Sequence, residues 1–472
     1  MKKLVTFASD IRVNALLCCS AAVLLTACGG GSSDTATGQQ TQTAAYAQNS
    51  ATNESAATVA AARDGADGAT TVSVPEETSP SNTVEIASAD VAAPAEAAPD
   101  LATAALSDGT PHLLATSGVN TAAAASTYNL YVSTTGNDAN SGSQSAPFRT
   151  INRAAKAAKA STTVHVAAGT YRENVSTTVA GTSTGRIRYV SDTKWGAKVI
   201  GSGTEAMWTN KGNYTDISGF DISGSGRLGI LNYASYTNMS NNNVHNLTVS
   251  GGCTGNGGAG INNANYSGSD GDIIGNVVHD IGVPGKCNGV QGIYSSNLRG
   301  RIHNNIVYRV SAWGIQLWHA ANNVMIANNT VFQNGANGMG GGIVIGTGDA
   351  PGGIVMDYTK VINNIVYSNP ASGIKEYCYS GFNCIGTHNT IANNLVYGNG
   401  SAISLKNGVA TGTISANPMF VNYQANGTGD YRLQSGSPAI NKGTAGSAPV
   451  DDINYVARPR GGAHDIGAYE SF

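Results

Sequence analysis

Gln316, Trp318 and His319 form one group of side chains fit for chemistry; Lys375, Tyr377 and Lys406 form a second further along the chain. An ammonium can pair with a carboxylate or, once deprotonated, accept a proton. An imidazole exchanges protons near neutral pH, and a phenol can protonate a leaving oxygen. Indole and phenol rings pack on the apolar faces of sugars. Together these groups suit β-elimination of a uronate: the carboxylate is neutralised, a base removes the C5 proton, and the C4–O bond breaks. In this reading Lys375, with Lys406 nearby to lower its pKa, is the base. Tyr377 or His319 protonates the leaving oxygen, while Trp318, Gln316, Lys406 and Tyr294 hold the sugar. Each residue has a plainer role to weigh against this: Trp318 packing under a loop, Lys375 pairing with Glu376 at the surface, Lys406 solvated, and His319 capping a turn.

Residues so far apart in sequence act together only if a repeating fold brings them into line. The sequence contains such a repeat. An Asn-Asn element followed by a β-prone run recurs at Asn304-Asn305, Asn328-Asn329, Asn363-Asn364 and Asn393-Asn394, with degenerate copies at Asn241-Asn242 and Gly275-Asn276. The second Asn of each falls at 242, 276, 305, 329, 364 and 394, in steps of 34, 29, 24, 35 and 30. A Gly-Ile element keeps pace at Gly229, Gly260, Gly292, Gly314, Gly342 and Gly373, with Ala402-Ile403 last. Each apolar run is too short to bury a face alone, so successive coils must stack and pair edge to edge. The expectation is an all-β fold, a right-handed parallel β-helix. Asn at the repeated turn would adopt the left-handed conformation and bond to the Asn above and below. His245, His279, Tyr308, Phe332, Tyr367 and Tyr397 would stack as a column.

Stacking predicts which side chains share the outer wall. After each Gly-Ile the Ile points inward and the next residue outward. One outward column is then Leu231, Asn262, Tyr294, Gln316, Val344, Lys375 and Ser404. A second, two positions on, is Tyr233, Ala264, Ser296, Trp318, Gly346, Tyr377 and Lys406. Trp318 and Tyr377 would flank a gap above the bare Gly346, bordered by cations, a setting for an acidic polysaccharide. Asp280 and Arg309, at one position of successive coils, read as a structural ion pair.

Composition limits the alternatives. Charged residues make up 12% of the 472, about half the usual share, and the formal net charge is −3. No basic stripe argues for nucleic acid. Met1-Lys2-Lys3 and the apolar stretch to Leu25 read as an export signal covering 1–27. Its end, Leu25-Thr26-Ala27-Cys28, resembles the lipobox of bacterial lipoproteins. That resemblance implies a lipid on Cys28, hence a membrane attachment, and Gly29 favours the outer membrane or cell surface of a Gram-negative bacterium. Residues 28–125 are rich in Ala, Thr and Ser without apolar periodicity, which reads as a disordered tether. Of the seven cysteines, Cys253, Cys287, Cys378 and Cys384 remain for disulfides, with Cys378–Cys384 closing a short loop and Cys253–Cys287 stapling two coils. The chain is expected to be monomeric.

Order begins at Tyr128-Asn129-Leu130-Tyr131-Val132. Thr150 is a candidate N-cap for a short helix whose apolar stripe is Ile151, Ala154, Ala155 and Ala158. That helix would plug the open end of the core. The β-helix is expected over 126–414 and a C-terminal cap segment over 415–472. The opening YVSTTGNDANSGSQSAPFRTINRAAKAA…VHVAAGTYRENV resembles the N-terminal cap and first coil of secreted parallel β-helix proteins that include the family 9, pectate-lyase-L-type polysaccharide lyases. The tail motifs Asn417-Pro418-Met419-Phe420, Ser437-Pro438-Ala439-Ile440 and Asp465-Ile466-Gly467-Ala468-Tyr469-Glu470 resemble the same group.

The resemblance implies a Lys base and a calcium held by clustered Asp residues. This chain departs from the calcium pattern, with Ser311-Ala312-Trp313-Gly314-Ile315-Gln316 where the carboxylates belong, so no metal ligand is assigned. Calcium remains conceivable through Asp270, Asp272 or Asp349, which read more naturally as turn residues. The expected function is a polysaccharide lyase or related uronate enzyme such as an epimerase. The competing functions are a non-catalytic glycan-binding lipoprotein and, ranked last, a glycoside hydrolase, for which Glu376 is the one mid-coil carboxylate.

Overall fold

The computed structural model describes residues 128–471, apart from 204, 250–256, 284–288, 320, 337–339, 348–354 and 379–382. The signal and tether segments, Cys28, Cys253, Cys287 and Asp349 therefore lie outside the described residues.

Among the described residues three parallel sheets wind around one core, with ten strands in the first and nine in each of the other two. Their neighbours in space are strands about one coil apart in sequence, which makes the fold a parallel β-helix. The first sheet begins with Tyr128–Val132 and Thr162–Val166 and ends at Thr390–Ala392. The second runs from Val175–Thr177 through Val290–Ser295, Trp313–Leu317, Gly341–Thr347 and Ser372–Cys378 to Ser401–Ser404. The third carries Asn243–Leu247, Val277–Ile281, Ile306–Val310 and their successors. Bridges Ala392–Thr411 and Leu395–Ile414 continue the winding past the last strands.

The Gly-Ile element explains the close stacking on the second sheet. The Ile side chains of residues 230, 261, 293, 315, 343 and 374 are all fully buried in the core. The glycine before each lies where a side chain cannot fit: a Cβ on Gly342 would sit 2.4 Å from Val366 Cγ1 and 2.7 Å from the Gly373 carbonyl oxygen. At the N-terminal end, helix Ile151–Ala157 buries Ile151, Ala154 and Ala155, and Thr150 caps it by accepting from the Arg153 N–H. Glu173 accepts from the Ile151 and Asn152 N–H groups, placing a carboxylate at the positive end of the helix.

The Asn-Asn turn divides two tasks that the sequence reading assigned to one residue. The first Asn takes the left-handed conformation, with φ from 52° to 57° at Asn241, Asn304, Asn328, Asn363 and Asn393. The second builds the ladder. From Asn242 through Asn276, Asn305, Asn329 and Asn364 to Asn394, each Nδ2 donates to the next Oδ1 at 2.9–3.1 Å. That Oδ1 also accepts the preceding Asn's backbone N–H. Sequence reasoning missed two shorter ladders, Asn210–Asn232–Asn263 and Asn334–Asn369–Asn399. The aromatic column stacks at 5.0, 4.7 and 5.0 Å from His245 through His279 and Tyr308 to Phe332. Asp280 and Arg309 form the expected ion pair at 2.6 Å.

Residues after 415 fold back along the side of the solenoid. Phe420 and Tyr431 pack on the aromatic column, forming a second core with Ile306, Phe332 and Ile365. The left-handed Asn side chains hold this segment: Asn304 donates to Asp451 O, Asn328 to Asp465 O and Asn363 to Thr444 O. The Asn corner and the later strands of the third sheet are thereby covered. The outer face of the second sheet is where the candidate residues lie.

Candidate functional site

Strand pairing puts the first outward column in register along its whole length. Leu231 pairs with Asn262, Asn262 with Tyr294, Tyr294 with Gln316, Gln316 with Val344, Val344 with Lys375, and Lys375 with Ser404. In the second column Gly346 pairs with Tyr377, and Trp318 follows Leu317, the partner of Ile345. Outside the core, Leu228, Leu231, Ala259, Ala264, Tyr294 and Trp318 form an apolar cluster on this wall, with Tyr377 packed against it. A shallow groove crosses its N-terminal half, lined by Arg227, Tyr233, Asn262, Gln291 and Tyr294 over a floor of leucine and glycine.

The structure brings some predicted residues together and separates others. Trp318 and Tyr377 are neighbours, but they do not flank a gap. Their rings stack on each other with centroids 6.0 Å apart and planes 20° from parallel, so the two side chains themselves fill the expected cleft. Lys375 is half-buried, with Nζ 5.3 Å from the Tyr377 ring centroid. Gln316 is buried between Tyr294 and Val344, and among the described residues its Oε1 has no hydrogen-bond partner. His319, at φ 53°, packs its ring 4.4 Å from Tyr266 and 6.4 Å from Tyr294, joining the predicted group to the groove. Lys406 is exposed at the C-terminal rim.

Glu376 is not Lys375's surface partner. It alternates to the opposite side of the strand, is 1% exposed, and accepts the N–H groups of Lys406 and Asn407 at 2.8 and 3.0 Å. Neither outward column contains a carboxylate, so these columns do not supply the paired acids that glycoside hydrolysis requires; among the described residues, Glu205 pairs with Arg227 at 3.6 Å. Burial raises the Glu376 pKa above the usual carboxylate value, and the two N–H groups offset this only in part. Its ionisation therefore costs folding energy: the stability is fully present below the unfolded pKa and is lost as pH rises through the folded one. Glu376→Gln keeps an oxygen for both N–H donors and carries no charge. We expect its stability relative to wild type to increase between about pH 4 and pH 8, read from urea midpoints. A constant difference across that range would contradict this.

Sequence reasoning passed over Arg227, Gln291 and Tyr266. Arg227 and Gln291 sit at or before strand starts, outside the two columns, and Tyr266 lies in a turn. Only the groove shows that Arg227 and Gln291 border the same wall, and Tyr266 joins it through its ring contact with His319. Asp270 and Asp272, the described aspartates that the sequence left open for calcium, are both engaged by arginines, and Asp349 lies outside the described residues. Asp270 is paired with Arg299 at 2.8 Å and Asp272 with Arg301 at 2.6 Å. Among the described residues no three His, Cys, Asp or Glu side chains converge as metal ligands. Cys378 and Cys384 are bonded through sulfur next to Tyr377, with Cα atoms 5.7 Å apart.

A model of a family described as a protein of unknown function, DUF1565, matches residues 134–180, the stretch holding the helix and first coil. None of the curated proteins matches the sequence significantly. Among solved structures, pectate lyase Pel9A is similar at 17% identity, covering 73% of this chain and 96% of its own, with a TM-score of 0.51. An alginate lyase from Paenibacillus sp. str. FPU-7 is similar at 19% identity over 55% of this chain and 96% of its own, with a TM-score of 0.36. The A-module of the Azotobacter vinelandii mannuronan C-5 epimerase AlgE4 matches at 15% identity over 52% of this chain and 68% of its own, with a TM-score of 0.40. The likeness to Pel9A is one of fold.

Proposed function

We propose that this is an exported carbohydrate-active protein that holds an acidic polysaccharide on the outer wall of its second sheet and cleaves it by β-elimination. The observation that carries the reading is the apolar and aromatic strip from Leu228 to Tyr377, bordered by Arg227 at one end and Lys375 at the other. Sugar faces pack on such a strip, and guanidinium and ammonium groups pair with uronate carboxylates. The fold it shares with a pectate lyase is in keeping with this.

In this reading the chemical roles are redistributed. Lys375 lies against a π face, a position suited to a cation that neutralises the uronate carboxylate and acidifies the C5 proton. His319, at the turn between Tyr266 and Tyr294, is the base that takes that proton. The half-buried Tyr377 phenol, beside Lys375, protonates the departing C4 oxygen. No metal enters these steps. The proposal includes anchoring by a lipid on Cys28, with the Ala/Thr/Ser-rich segment as a spacer.

Elimination leaves a C4–C5 double bond conjugated with the carboxylate. Incubation with a panel of uronate polymers should therefore raise the absorbance near about 235 nm. New reducing ends without that absorbance would indicate hydrolysis. Retardation of one polymer in a gel with neither product would reduce the protein to a binder.

A further inference from the structure

Trp318 and Tyr377 stand two coils apart, with Gly346 between them in register. Two strand steps separate their backbones by about 9.6 Å. Their ring centroids are only 6.0 Å apart. The side chains thus lean toward one another over the glycine, and a Cβ there would lie 3.1 Å from Trp318 Cζ3. A pyranose in van der Waals contact with a ring on each face needs a separation of roughly 7–8 Å. That value lies between the observed spacing and the one the backbone permits.

We infer that Trp318 and Tyr377 are the two jaws of a sugar subsite, which stack on each other in the structure and part to take one pyranose unit whose substituents are all equatorial. This rests on the acidic-glycan reading above and narrows it. A ring between two aromatic faces must be apolar on both sides. When every substituent is equatorial, as in a β-1,4-linked glucuronate, both faces carry only C–H groups. An axial oxygen, the linkage oxygen at C4 of a 1,4-linked galacturonate or the hydroxyl at C2 of mannuronate, would be pressed against an aromatic ring with no partner supplied. The clamped unit presents its equatorial carboxylate at the rim. Lys375, whose Nζ lies beside the Tyr377 ring, meets it there, and His319 follows Trp318 directly in the chain.

The test uses the full chain and matched tetramers of β-1,4-glucuronate, galacturonate and mannuronate, with dissociation constants from calorimetry. Glucuronate should bind about tenfold or more tightly than either axial sugar. Trp318→Ala and Tyr377→Ala should erase that preference, with melting temperatures confirming that the variants fold. In the wild type, glucuronate and not galacturonate should change the indole emission that is lost in Trp318→Phe, a readout that does not depend on the alanine variants. Equal binding of the three sugars, or a preference that survives Trp318→Ala, would overturn the clamp while leaving the acidic-glycan reading intact. Binding to none of them would overturn both.

Discussion

Asn329→Ala is expected to lower the folding free energy by about 3–6 kcal/mol, measured by urea unfolding. Asn329 is fully buried, as are Asn305 and Asn364. Its Oδ1 accepts from the N–H and the Nδ2 of Asn305, both at 2.9 Å. Its Nδ2 donates to Ile302 O and to Asn364 Oδ1, also at 2.9 Å. Alanine removes all four bonds and leaves two donors and a carbonyl without partners inside the turn. Each such buried orphan costs about 1–3 kcal/mol. Because these groups are buried, the loss should be much larger than for Ser404→Ala on the exposed rim. A change below about 1 kcal/mol would show that the ladder follows the stacking of coils rather than enforcing it.

The second large effect concerns turnover. With the polymer that passes the absorbance test, His319→Ala should lower kcat by about 100-fold or more, the usual share of a positioned base. Lys375→Ala should cost a comparable factor, because the carboxylate loses its counter-charge as negative charge develops on the sugar. Lys375→Arg separates the two roles open to this residue. A neutralising cation is replaced in kind by a guanidinium, so a substantial part of the rate should survive. A base is not replaced, because the guanidinium stays protonated. An inactive Lys375→Arg beside an active His319→Ala would return the base to Lys375.

Much of the architecture could be read from the chain because a solenoid writes its period into the sequence. The markers at Asn242 through Asn394 predicted the polar ladder, and the residues after each Gly-Ile predicted a wall column that strand pairing reproduces from Leu231 to Ser404. Thr150 and the stripe beginning at Ile151 predicted the capping helix. These features depend on spacing along one strand or turn, which neighbouring residues determine among themselves.

The candidate site was only half legible, for a matching physical reason. Register says which residues stand above one another, but not how far their side chains lean. The bare Cα of Gly346 lets Trp318 close on Tyr377, and the alternation of the strand turns Glu376 into the interior, where Lys406 and Asn407 hold it. Arg227 and Tyr266 reach the wall from strand approaches and turns that follow no period. The sequence by itself determined the coil, its ladders and the order of residues along each face, because those follow from local periodicity and the pairing of identical units. Only the tertiary structure decided which side chains meet, which charges are buried and where the groove opens, because these depend on packing between coils and turns that the repeat leaves unspecified.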